Sequence, residues 1–95
     1  MVNAIVLLRV QRDRLAQVAE ELVATDGISE VYAVAGQFDL VAILRAEDDE
    51  QFAEIVTEGM LRVSGIRSSE TLIALRAFSR FDLEEMFAGP RQGAD

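Results

Sequence analysis

The residues best suited to chemistry fall in two short stretches. In Gly36-Gln37-Phe38-Asp39 a tight glycine turn exposes backbone amides as donors, and Asp39 sets a carboxylate acceptor beside them. Ser69 and Thr71, two residues apart, put two hydroxyls on one face of an extended segment. Both patterns also have plainer uses: Gly36 can take positive φ, Asp39 can cap the turn, Phe38 can pack in an interface, and threonine is a good strand residue. Arg9, Arg45 and Arg76 sit at or near strand ends, where a guanidinium can meet a carboxylate in a bidentate pair. Ordinary surface pairs are the commoner use of such arginines, and no ligand role is assigned to them. The run Glu47-Asp48-Asp49-Glu50, with Glu54 and Glu58, offers the hard oxygens a divalent cation prefers. It lacks a calcium-loop pattern, and consecutive acids on a helix diverge, so a solvated helix N-terminus explains it better and no metal site is expected.

The composition removes most other chemistry. With no histidine and no cysteine, the chain lacks imidazole and thiolate ligands, disulfides and the usual general base near neutral pH. Tyr32, Asp39 and the charged residues remain for proton transfer, and none stands in an evident apolar pocket. No catalytic residue and no cofactor is assigned, and the chain reads as a non-enzyme. Ninety-five residues suffice for one domain, and a formal net charge of −8 repels a phosphate backbone, so direct nucleic-acid binding is disfavoured. Apolar stretches such as Ala4 to Leu8 fall far short of the roughly 18 residues of a membrane span, and the first residues carry no cleavage signature. A cytoplasmic protein without membrane contact is expected.

Residues 2–10 are almost entirely apolar and suit one buried strand. From Asp13 to Thr25, Leu15, Val18, Ala19, Leu22 and Val23 form the stripe of an amphipathic helix, which Asp26-Gly27 stops. Residues 28–35 form a second strand, and the short Gly36 to Asp39 connection makes residues 40–45 its antiparallel hairpin partner. A second helix opens after Ala46 and buries Phe52, Ile55, Val56, Met60 and Val63, with Gly59 on the same stripe where a neighbour can pack closely. Gly65 ends it, and residues 66–78 hold the last strand, centred on 71–77. Asp26-Gly27-Ile28 and Ser64-Gly65-Ile66 form a faint internal repeat, each ending a helix and leading into a strand. Two βαβ-like halves with right-handed crossovers interleave into an α+β ferredoxin-like βαββαβ fold, a four-stranded antiparallel sheet with both helices on one face.

Those strands are apolar on both sides, and two helices cover one face only. A bare face of that size calls for a partner, and a homodimer joined sheet to sheet into a dimeric α/β sandwich is expected. The domain is assigned to residues 1–78. In the tail, Asp82 as N-cap with Glu85, and Phe81 facing Met86, predict a short docking helix within residues 79–89. Residues 90–95 are expected to be a disordered tail.

The segment Val31-Tyr32-Ala33-Val34-Ala35-Gly36-Gln37-Phe38-Asp39-Leu40-Val41 resembles the strand, glycine, aromatic, aspartate, strand pattern of the ligand-binding domain in Lrp/AsnC transcriptional regulators. Gly65-Ile66 followed by Ser69 and Thr71, at the fourth and sixth places after the glycine, resembles the lead-in to that domain's last strand. The resemblance covers about residues 2–78. It implies an effector-binding (RAM) domain standing without the helix-turn-helix, which assembles as dimers and higher oligomers, binds an amino acid between dimers, and modulates transcription through a full-length Lrp/AsnC-type regulator as partner. By the same resemblance Gly36, Phe38, Asp39, Ser69 and Thr71 are ligand-binding candidates. Phe38 stands where many relatives have tyrosine, and Ser69 where threonine is common. Two other readings stay open: a dimeric α+β barrel small-molecule enzyme of monooxygenase type, and a pure oligomerisation module without a ligand.

Overall fold

The computed structural model describes residues 1–78 and Arg80. Its strands are β1 (Val2–Val10), β2 (Ile28–Ala33), β3 (Leu40–Ala46) and β4 (Ile66–Ala74). The first helical segment is a 3-10 turn, Arg12–Arg14, running into α1 (Leu15–Val23). The second begins as α2 (Asp49–Glu54) and continues through a wide π turn, Ile55–Gly59, and a 3-10 turn, Met60–Arg62. The strands form one antiparallel sheet in the order β2-β3-β1-β4, so the expected βαββαβ ferredoxin-like fold is the one found.

Strand alternation sets what the sheet buries. Ala4, Val6, Leu8 and Val10 of β1 and Leu40, Ala42, Leu44 and Ala46 of β3 point to the helices, and each is buried. Val18 and Leu22 of α1 close this core with Ile55, Met60 and Val63. Burying each of the valine, leucine, isoleucine and methionine side chains contributes about 1.5–3 kcal/mol, which makes the two central strands the energetic centre of the domain.

The second helix departs from a regular 3.6-residue stripe. Ile55 and Met60 are both buried although five residues apart, and the Met60 amide donates to the Ile55 carbonyl across the widened turn. That i to i+5 bond brings the two side chains into phase, which an α-helix would not. The acidic run starts the helix: Asp48 accepts from the Gln51 amide at 2.8 Å, and Gln51 returns the bond by accepting from the Glu47 amide at 2.6 Å.

The internal repeat is structural. Gly27 and Gly65 have φ of 94° and 101°, and each carbonyl accepts from the end of another strand, Gly27 from the Arg45 amide and Gly65 from the Gln11 amide, both at 2.8 Å. A Cβ at Gly27 would run into the Ile55 side chain, and one at Gly59 would lie 2.7 Å from the Thr25 methyl, the close packing foreseen at that position.

The last strand begins where the expected 66–78 range begins and differs from expectation at its C-terminal end. It begins at Ile66 and stops at Ala74, where residues 71–77 were its expected centre. As an edge strand, β4 needs no apolar pattern for its polar start Arg67-Ser68-Ser69-Glu70 to pair with β1. The expected docking helix, residues 79–89, falls outside the described residues apart from Arg80, and so does the tail, residues 90–95.

The face away from the helices carries Ile5, Leu7, Val41, Ile43 and Leu72, with Tyr32 at its edge. Ile5 lies at the centre of the sheet and is nevertheless 39% exposed. No helix among the described residues is long and apolar enough to cross a membrane.

Candidate functional site

The ends of β1 and β2 and the starts of β3 and β4 meet at one end of the sheet, where antiparallel pairing brings them side by side. Asp39 organises this corner. Its amide donates to the Leu8 carbonyl at 2.8 Å, its carbonyl accepts from Val34 at 3.0 Å, and its Oδ2 accepts from the Val10 amide at 2.9 Å. The last bond extends the β1–β3 ladder, whose Leu8 to Leu40 pair is the final one, with a carboxylate standing in for a backbone acceptor. Asp39 therefore has the capping use foreseen for it, and its Oδ1 has no hydrogen-bond partner among the described residues.

Gly36 has φ of 139° and is exposed, and a Cβ there would meet nothing within 4 Å. Glycine is required at this position by the backbone, and the turn above it stays open to a ligand. Phe38 is half-buried, with the Arg9 guanidinium 5.2 Å from its ring centroid. That distance is within cation–π range and holds Arg9 over the turn.

A cavity of about 460 Å³ opens at this corner, lined by Arg9, Arg12, Arg67, Gln37, Asp39 and Ser68 together with Val10. Its volume suits a small polar molecule. Ser69 and Thr71 lie elsewhere. They pair with Leu8 and Val6, which turns them to the helix side of the sheet. There they line a smaller cavity of about 220 Å³ with Val56, Met60, Leu61, Val63 and Ile66. Within one chain, then, the five sequence candidates form two groups: Gly36, Phe38 and Asp39 at the turn, Ser69 and Thr71 against the second helix.

Arg12 and Arg67 escaped the sequence reading, and Arg9 was given no role. The pertinent signal was positional: Arg9 and Arg12 flank the end of the first strand, and Arg67 follows the repeated glycine-isoleucine lead-in. The other two arginines considered take different partners. Arg45 Nη1 donates to Asn3 Oδ1 at 3.4 Å, and Arg76 lies 6.0 Å from the Phe78 ring centroid.

Tyr32 donates its phenol hydrogen to Glu30 Oε2 at 2.9 Å on the open face of β2. That hydrogen bond, reinforced by the carboxylate's negative charge, holds the phenol's pKa above its ordinary value of 10.0. The group stays protonated through the physiological range.

An antiparallel ferredoxin-like sheet with an apolar open face, and a glycine-aromatic-aspartate turn at its corner, defines a small α+β domain of the ferredoxin-like class. The Lrp/AsnC ligand binding domain family model matches residues 3–82, and this chain belongs to that family. A relative named as an uncharacterised HTH-type transcriptional regulator, PF0250 of Pyrococcus furiosus, is 31% identical over 75 residues, covering 76% of this chain and 50% of the regulator. The chain thus spans about half the length of the curated relatives it matches. The crystal structure of TTHA0845 from Thermus thermophilus is 39% identical, covers 84% of this chain and all of that one, and superposes with a TM-score of 0.78. The transcriptional regulator NMB0573 of Neisseria meningitidis, solved as an L-Met complex, is 15% identical, with a TM-score of 0.73 over 83% of this chain and 53% of its own, and shares the fold.

Proposed function

We propose that this domain binds a small amino-acid ligand at the sheet corner and converts binding into a change of assembly that a partner regulator reads. The observation that carries the reading is the Asp39 corner. One carboxylate oxygen is committed to Val10, and the other, with no hydrogen-bond partner among the described residues, lies beside an open glycine turn and a polar cavity. That second oxygen accepts from an ammonium group, and guanidiniums meet a carboxylate. Family membership and a fold neighbour solved with L-methionine support an amino acid as the ligand class.

The apolar open face supports a homodimer joined sheet to sheet, with further dimers meeting at the sheet ends. In such an assembly Ser69 and Thr71 of one copy complete a crevice whose other wall is the Gly36, Phe38 and Asp39 turn of another. A ligand in that crevice favours the assembly that holds it more tightly, and shifts the population by that difference in affinity. The net charge of −8 favours regulation through a partner, a full-length Lrp/AsnC-type regulator in the cytoplasm, over direct DNA contact. Catalysis has less support, because Tyr32 is exposed and held protonated by Glu30.

The test is a thermal-shift screen of the twenty amino acids paired with measurement of assembly mass. A ligand at 100 times its dissociation constant adds about 2.7 kcal/mol of stability. Selective stabilisation by one chemical class, accompanied by a change of mass, is the expected result. No shift with any amino acid, together with copurification of a regulator, leaves a pure oligomerisation module.

A further inference from the structure

Three of the chain's nine basic residues converge on a single cavity, although the protein as a whole is strongly acidic. Arg9 is next to last in β1, Arg12 opens the turn that follows, and Arg67 comes from the start of β4. The pairing explains how the third arrives. Arg9 pairs with Ser68 and Val10 pairs with Ile66, which leaves Arg67 as the extra residue of a β-bulge. A bulge re-aims the side chain it inserts, and here that side chain lines the cavity.

The cluster is only partly compensated among the described residues. Among the described residues Asp39 is the one carboxylate in the lining, and one of its oxygens is taken by the Val10 amide. Among the described residues, none of Arg9, Arg12 and Arg67 has a carboxylate within ion-pair distance. Like charges gathered in one cavity repel, and a bound anion offsets that repulsion. Arg9 stacks over Phe38, which leaves the N–H edge of its planar fork available to a ligand.

We propose that this cavity selects an amino dicarboxylate, an amino acid whose side chain carries a second acidic group. The inference rests on the amino-acid reading above and goes further by naming the charge class of the ligand. Two carboxylates meet the arginine forks and the ammonium meets Asp39 Oδ1. Gln37 and Ser68 are the neutral hydrogen-bonding side chains of the lining. A neutral amino acid satisfies one carboxylate's worth of this charge, and a basic one adds a further cation to three already present.

The experiment is titration calorimetry of the full chain with L-aspartate, L-glutamate, L-asparagine, L-glutamine and inorganic phosphate. The amides match the acids in shape and differ in charge, so the acid should bind at least about tenfold more tightly than its own amide. Arg12→Gln and Arg67→Gln should each bring that ratio close to unity while the unliganded melting temperature holds or rises, since both side chains are exposed and each substitution removes one of the repelling charges. An amide binding as tightly as its acid, or a neutral amino acid binding where neither acid does, overturns the charge class and leaves the amino-acid reading standing. Phosphate binding with no response to any amino acid overturns both in favour of a plain anion site, and silence toward every probe also sinks both.

Discussion

Asp39 has two separable duties, and two substitutions pull them apart. Asp39→Ala removes the acceptor 2.9 Å from the Val10 amide and strands a donor on a residue that is 4% exposed. Leaving such a donor unsatisfied costs about 1–3 kcal/mol; because the bond is only partly buried, the lower part of that range applies, roughly 1–2 kcal/mol. For a domain of this size that lowers the melting temperature by roughly 4–16 °C. Asp39→Asn keeps an oxygen in the same place, so its cost in stability should stay below about 1 kcal/mol. It removes the charge that attracts an ammonium group, and a charge-assisted bond of about 1.5–3 kcal/mol corresponds to roughly a 10- to 100-fold loss of ligand affinity. Differential scanning calorimetry at one fixed protein concentration reads the first quantity, and ligand titration of the same samples reads the second. Asp39→Ala melting with the wild type refutes the clamp on β1. Asp39→Asn binding ligand as the wild type does refutes the charge argument.

Other consequences are equally direct. The chain has a single tyrosine, so absorbance titration of tyrosinate follows Tyr32 alone; its midpoint should lie above 10.0 and fall toward that value in Glu30→Ala. Because the folded pKa is raised, the stabilisation from this pair is fully present below 10.0 and is lost as pH rises through the folded value, so Glu30→Ala should flatten the alkaline decline in stability. Ile5→Asp, which places a charge at the centre of the apolar open face, should lower the mass seen by sedimentation while the circular dichroism of the subunit persists. Gly27→Ala strains positive φ and drives a methyl into Ile55, whereas Gly36→Ala carries the backbone term alone, about 1–2 kcal/mol. Denaturant unfolding should therefore find Gly27→Ala the less stable of the two. Asp48→Ala deletes the helix cap and should lower stability by about 1 kcal/mol on the same assay.

Much of the fold was legible because it is written in short-range periodicity. The apolar run at residues 2–10 is β1 with the same limits, the stripe from Leu15 to Val23 is α1 although its last member, Val23, is exposed, and the two glycine-isoleucine lead-ins open β2 and β4. The second helix was less legible, since the π turn that aligns Ile55 with Met60 breaks the period the reading relied on. The first half of β4 was less legible for a different reason: an edge strand takes its hydrogen bonds from β1 whatever its side chains are, so Arg67-Ser68-Ser69-Glu70 carries no apolar strand pattern.

The site divided along the same line. Gly36, Phe38 and Asp39 were legible as a turn because residues close in sequence stay close in space. Sequence could not tell that Asp39 would clamp an amide 29 residues away, since that depends on the β1–β3 register. Neither could it tell that Ser69 and Thr71 would face the helices, for strand alternation says which residues share a face and only pairing with β1 says which face it is.

By itself, then, the sequence determined the element order, the apolar faces and the exclusion of histidine and cysteine chemistry, because composition and local spacing are properties of the chain alone. The tertiary structure decided which charges meet. Arg9, Arg12 and Arg67 come from separate elements, and only the sheet register and the bulge that carries Arg67 set all three around one cavity.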